Sequence, residues 1–179
     1  MVFIGIISNM TRPEHKVFYE QATKNILAQL KTLNLTPEKY KRATELVYKF
    51  RTAFTQEDVK KATFITPDNK IWDLGYDSAG FCRVASISFA LAMGAYEWRL
   101  MSIDQDEWYG KMGHHWLKHI PSGKVFDITY DQFTVDGWKL PYHLGVPTAY
   151  NLSLCDETHK FAKFVGIDTM KLLTSNKSK

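Results

Sequence analysis

At 179 residues, with 45% hydrophobic and 23% charged side chains, the chain is long enough for one domain with an ordinary core and too apolar to be disordered. Its formal charge of +4 is spread out, with tight groups only at Lys60-Lys61 and Lys177-Ser178-Lys179, so the basic stripe and module of a nucleic-acid binder are missing. No apolar run approaches a membrane span, residues 1–7 are shorter than a signal-peptide core, and two cysteines are too few for a disulfide framework. A cytoplasmic protein with free thiols is expected, with no nucleic acid and no membrane among its partners.

Residues 12–34 place Val17, Phe18, Ala22, Ile26, Leu27 and Leu30 at helical spacing. Thr36-Pro37-Glu38 reads as an N-cap with proline at the first helical position, and Tyr40, Ala43, Leu46, Val47 and Phe50 then share one helix face. Thr55-Gln56-Glu57-Asp58 is a further helix start. Residues 1–63 are therefore expected to form a helical subdomain packed on a core that spans 64–179.

Within 64–76, the turn residues Pro67-Asp68-Asn69-Lys70 predict a short hairpin or loop. Residues 78–92, rich in Ala, Ser, Leu and Phe and followed by Gly94, predict a central helix that Ser78 could cap. Strands are predicted at 97–103, 114–120 and 124–129, the last two joined as a hairpin at Pro121-Ser122-Gly123. Residues 156–165, closed by Gly166, predict a final helix. Helices, a central helix and then an antiparallel sheet make an α+β fold.

Cys82 falls at the start of the central helix, where unsatisfied N–H groups and partial positive charge favour a thiolate and could stabilise an oxyanion. An inert buried thiol is the ordinary fate of a lone cysteine. Two downstream segments weigh against it here: Gly113-His114-His115-Trp116 on one predicted strand and Phe126-Asp127-Ile128-Thr129 on the next. A hairpin can set a histidine beside a carboxylate, giving nucleophile, base and orienting group in chain order. Neighbours on a strand face opposite ways, so only one of His114 and His115 can share a face with Asp127. A two-residue Ser122-Gly123 turn favours His114; a three-residue Pro121-Ser122-Gly123 loop favours His115.

Gly80-Phe81-Cys82-Arg83-Val84-Ala85, His114-His115-Trp116 and Asp127-Ile128-Thr129 together resemble the nucleophile, His-x-Trp and Asp-x-Thr segments of the transglutaminase-like superfamily. The continuation Tyr130-Asp131-Gln132-Phe133 is similar to small bacterial and phage members. The likeness covers residues 72–133, about a third of the chain. It implies a papain-like core and an acyl-transfer enzyme (amidase, thiol protease or transglutaminase) acting on protein or peptide amides through Cys82, His114 and Asp127. His114 is chosen over His115 by the His-x-Trp match, and no metal or other cofactor is implied. Trp72 and Tyr76 are candidate oxyanion donors by the same likeness, beside the Cys82 backbone N–H. Trp116 and Tyr142 are further binding candidates. The rival reading is a catalytically silent papain-like fold used as a protein-binding module. Cys155 and His159, four apart on the last helix, could ligate a metal only with further ligands, so plain helix packing is expected of them.

Overall fold

A computed structural model of the chain describes residues 13–64, 78, 80–103, 113–134, 139–148, 152, 154–170 and 172, with side chains from Tyr19 onward. The hairpin expected within 64–76 lies outside the described residues apart from Phe64. Six α-helices are found among the described residues: α1 (Pro13–Lys31), α2 (Pro37–Phe54), α3 (Glu57–Thr63), α4 (Cys82–Met93), α5 (Asp131–Thr134) and α6 (Asp156–Phe164). Four antiparallel strands, β1 (Trp98–Ile103), β2 (His114–His119), β3 (Val125–Phe126) and β4 (Val146–Pro147), form one sheet in the order β3-β2-β1-β4. The fold is α+β. No helix among the described residues is long and apolar enough to cross a membrane.

Local chemistry accounts for these elements. Thr36 Oγ1 accepts a hydrogen bond from the Lys39 N–H at 3.3 Å, and Pro37 opens α2, so the expected cap forms. Such a cap contributes about 1 kcal/mol. Every residue of α4 from Val84 to Met93 is buried, so this helix lies inside the molecule. It meets α2 and α6 as well as β1 and β2. Ile26, Leu30, Phe50 and Phe54 of the first two helices share one hydrophobic cluster with Phe89 of α4, Leu117 and Phe126 of the sheet, and Phe161 of α6. The helices before position 63 thus pack on the elements after it through this cluster.

The β2–β3 hairpin decides which histidine faces Asp127. Leu117 pairs with Phe126 and Lys118 with Val125, and the Gly123 and His119 N–H groups close the end through the His119 and Lys124 carbonyls. The loop is therefore Ile120-Pro121-Ser122-Gly123, longer than either expected turn. Four residues have the same parity as two, so His114 and Trp116 share a face with Asp127 and His115 takes the opposite face. The third strand is also shorter than its predicted 124–129. Asp127 Oδ1 accepts the Thr129 N–H at 2.9 Å and its Oγ1–H at 3.1 Å, which bends the chain into a turn right after Phe126.

Residues 139–148 return as a strap. Val146 and Pro147 pair with β1, and the Thr148 N–H donates to the Leu100 carbonyl at 3.0 Å. Gly145 rests on the Trp116 indole so closely that an added Cβ would overlap the ring, and Trp116 is only 1% exposed and cannot swing away. Gly145→Ala is therefore expected to lower stability by about 1–3 kcal/mol, the usual range for overpacking, read as a lower urea midpoint with an unchanged slope.

Candidate active site

The nucleophile candidate is anchored by its neighbours. Gly80 has φ +77, a left-handed conformation that suits glycine and turns the chain into α4. Phe81 follows, fully buried, its ring 4.8 Å from Phe54, 4.9 Å from Phe64 and 5.1 Å from Phe161. Pinned this way, Phe81 serves as the N-cap residue and Cys82 becomes the first helical position. Its backbone N–H has no partner within the helix, by helix geometry, the position from which such groups meet anions. The side chain is half-buried. Ser78 does not cap α4 as expected; its hydroxyl donates to Asp131 Oδ1 at 2.9 Å instead.

Opposite the thiol, His114 and Asp127 are both fully buried. His114 Nε2–H donates to Asp127 Oδ2 at 2.7 Å. The same oxygen accepts the Tyr142 hydroxyl at 2.9 Å, and the other carboxylate oxygen accepts the two Thr129 donors. A buried carboxylate with four donors is well compensated for its lost water. From α1, Gln29 Oε1 accepts the Asp127 N–H at 2.8 Å, tying the turn to the N-terminal helices. The imidazole is sandwiched as well, with Phe133 edge-on at 4.9 Å and Trp116 stacked at 5.9 Å.

With Nε2 committed to Asp127, His114 Nδ1 is left over, buried and without an aligned hydrogen bond among the described residues. The ring's charge nonetheless acts on the Cys82 thiol. Imperfect alignment is common at such sites before a substrate is bound. His115, half-buried on the other face of β2, brings its Nδ1 to 3.8 Å from Cys82 Sγ. The sulfur's closest histidine contact is thus with His115, while His114 is the one that reaches Asp127.

The electrostatics follow from this packing. Burial alone would push the Cys82 thiol up; hydrogen bonds and positive charge from His114 and His115 outweigh it and bring the thiol down to about 6. For His114, burial alone would disfavour the cation, but the Asp127 carboxylate, with a smaller part from Cys82, raises it to about 10. Between those values the favoured state is a thiolate beside an imidazolium. Burial, then the nearby Asp127 charge, raises the Tyr142 phenol, which stays a donor.

The remaining sequence candidates take varied places. Trp72 and Tyr76 lie outside the described residues. Trp116, expected at a binding surface, is a buried wall packed against Tyr142 at 5.2 Å. Tyr142 faces Asp127 and supports the carboxylate. Cys155 contacts Thr158 Oγ1 at 3.2 Å, and His159 Nδ1 contacts Thr169 Oγ1 at 2.7 Å, so each is engaged in packing around α6. No cluster of His, Cys, Asp and Glu among the described residues could hold a metal ion. Neither Gln29 nor the Tyr142 hydroxyl carries a local sequence signal for its role, because each acts on Asp127 across the fold. A depression of about 500 Å³ between α2 and the end of α6 is lined by Tyr48, Lys49, Gln56 and Phe164, not by the Cys82 cluster.

Comparison with family models, curated proteins and solved structures finds no match for this chain.

A thiol held near 6 is ionised at neutral pH and protonates as pH falls through that value. Iodoacetamide is accordingly expected to alkylate Cys82 ahead of Cys155 at pH 7, with a rate that climbs through about pH 6, as peptide mass analysis would record. In His114→Ala the climb should move up by at least about one pH unit, since burial then acts with less opposition.

Proposed function

We propose that this chain is a thiol-dependent acyl-transfer enzyme of the transglutaminase-like, papain-like kind, acting on an amide of a protein or peptide. The observation that carries the reading is the buried His114–Asp127 pair on a hairpin whose neighbouring His115 lies 3.8 Å from a thiol at the start of a buried helix. A central helix bearing the cysteine, packed on an antiparallel sheet bearing the histidine, supports a papain-like core. Nothing in protein binding alone calls for these three groups together, which favours an enzyme over a silent binding module.

The chemistry follows from the resting ion pair. The Cys82 thiolate attacks the amide carbon, forming a C–S bond and placing negative charge on the carbonyl oxygen, for which the Cys82 N–H is the available donor. The carbonyl re-forms as the C–N bond breaks, and the His114 imidazolium gives its proton to the departing amine. A thioester on Cys82 and a neutral imidazole remain. Water or a second amine then attacks the thioester and passes a proton to His114 as the C–S bond breaks. Thiolate and imidazolium are thereby restored. Asp127 keeps Nε2 protonated throughout, so that Nδ1 is the nitrogen that exchanges the proton. His115, 3.8 Å from the sulfur, adds to its stabilisation, with no carboxylate on its ring among the described residues.

Peptide amides incubated with the protein should leave their acyl mass on the Cys82 peptide, and Cys82→Ala should form no adduct. Asp127→Asn is expected to slow adduct formation by roughly 10²–10⁴, and His115→Ala by less than His114→Ala. Unchanged turnover of a confirmed amide substrate by Cys82→Ala would contradict the nucleophile role. Equal partner capture and phenotype with Cys82→Ala would favour the binding module.

A further inference from the structure

A second polar cluster lies inside the molecule and takes no part in the chemistry above. Arg51, in the last turn of α2, is fully buried and donates from Nη1 to Asp131 Oδ1 at 2.7 Å. Asp131, also buried, opens α5 and accepts the Ser78 hydroxyl on the same oxygen at 2.9 Å. From the next position, Gln132 Nε2 donates to the Ser78 carbonyl, which also accepts the Phe81 N–H at 3.1 Å. Ser78 stands four residues before Cys82. Short helix α5 therefore grips the segment that delivers the nucleophile.

The same helix grips the other half of the site. The Gln132 N–H donates to the Thr129 carbonyl at 2.9 Å, and Thr129 in turn holds Asp127 Oδ1. Two neighbouring residues, Asp131 and Gln132, thus join the turn carrying the carboxylate to the turn carrying the thiol. Arg51 fixes that junction to α2.

A buried ion pair is an uneconomical way to gain stability. Removing two charges from water costs several kcal/mol per ion, and well-packed apolar residues of similar size often do as well or better. Here the cost is higher still, because Arg51 Nε and Nη2 have no hydrogen-bond partner among the described residues. The rings of Tyr19 and Phe54, 5.3 Å and 5.7 Å from the guanidinium carbon, offset part of it. What a charged, hydrogen-bonded unit offers over an apolar one is direction. It fixes one carboxylate oxygen, and through it one hydroxyl and one carbonyl of the Ser78 turn.

We propose that Arg51, Asp131, Ser78 and Gln132 form a positioning unit that sets Cys82 against His114. The proposal rests on the thiol-enzyme reading above. None of the four touches the reacting atoms; they act through the two turns. Sub-ångström placement of the sulfur governs how strongly the imidazolium stabilises it, so loosening the unit weakens that stabilisation while the fold persists.

The test uses the full chain carrying Cys155→Ser, so that iodoacetamide reads Cys82 alone, with alkylation rate against pH and thermal midpoint both measured. Ser78→Ala and Gln132→Ala remove the links without stranding a buried charge, and so are the variants expected to fold. Each should move the alkylation midpoint up by about half to one pH unit, about three- to tenfold slower alkylation below pH 6. Thr36→Ala, which weakens the remote α2 cap by about 1 kcal/mol, should lower the thermal midpoint and leave the alkylation midpoint in place. Unmoved midpoints in both Ser78→Ala and Gln132→Ala, against a low parent midpoint, would overturn the positioning role alone. A parent midpoint in the ordinary thiol range would overturn the thiol-enzyme reading, and this proposal with it.

Discussion

The buried Asp127 carboxylate is the interaction on which the rest of the site depends. It is fully shielded from solvent, yet four donors from His114, Tyr142 and Thr129 meet its two oxygens. A buried negative charge this well satisfied imposes a positive charge on its neighbour, and His114 is held as an imidazolium well above its usual range. That cation in turn favours a thiolate at Cys82. Carboxylate, imidazolium and thiolate form a chain in which each charge sets the next.

Much of the architecture serves that chain. The Asp127 backbone is tied to α1 by Gln29, and its side chain is supported by Tyr142 from the returning strap, which Gly145 allows to settle on Trp116. Phe81 is bolted among Phe54, Phe64 and Phe161, so that residues from α2, α6 and the segment after α3 fix where α4 begins. The N-terminal helices are thus part of the site's foundation. They share one hydrophobic cluster with α4 and the sheet.

The sequence was informative at several places where a local rule governs. The Thr36-Pro37 start of α2, the Ala-rich central helix, the strands around Leu100 and Leu117 and the Gly166 stop all follow from capping, periodicity and turn chemistry. Hairpin parity made the choice between His114 and His115 a question about loop length, and only the four-residue loop answers it. Asp127 reads as a strand residue until its side chain is seen to capture Thr129 and bend the chain. Contacts between distant positions left no local trace. Arg51 meets Asp131 across 80 residues and Gln29 meets Asp127 across 98, so no spacing rule could reveal them. His115 was legible as a strand neighbour but not as a second contact of the sulfur.

Under the proposed function, Cys82 and His114 rest as a thiolate–imidazolium pair sustained by Asp127. Side-chain ¹⁵N resonances of His114, followed with the Cys82 ¹³Cβ shift across a pH titration, test it most directly. The account predicts both ring nitrogens of His114 protonated, and Cys82 at its thiolate shift, between about pH 6 and about pH 10. A singly protonated, neutral His114 ring beside a protonated thiol at pH 8 would contradict it.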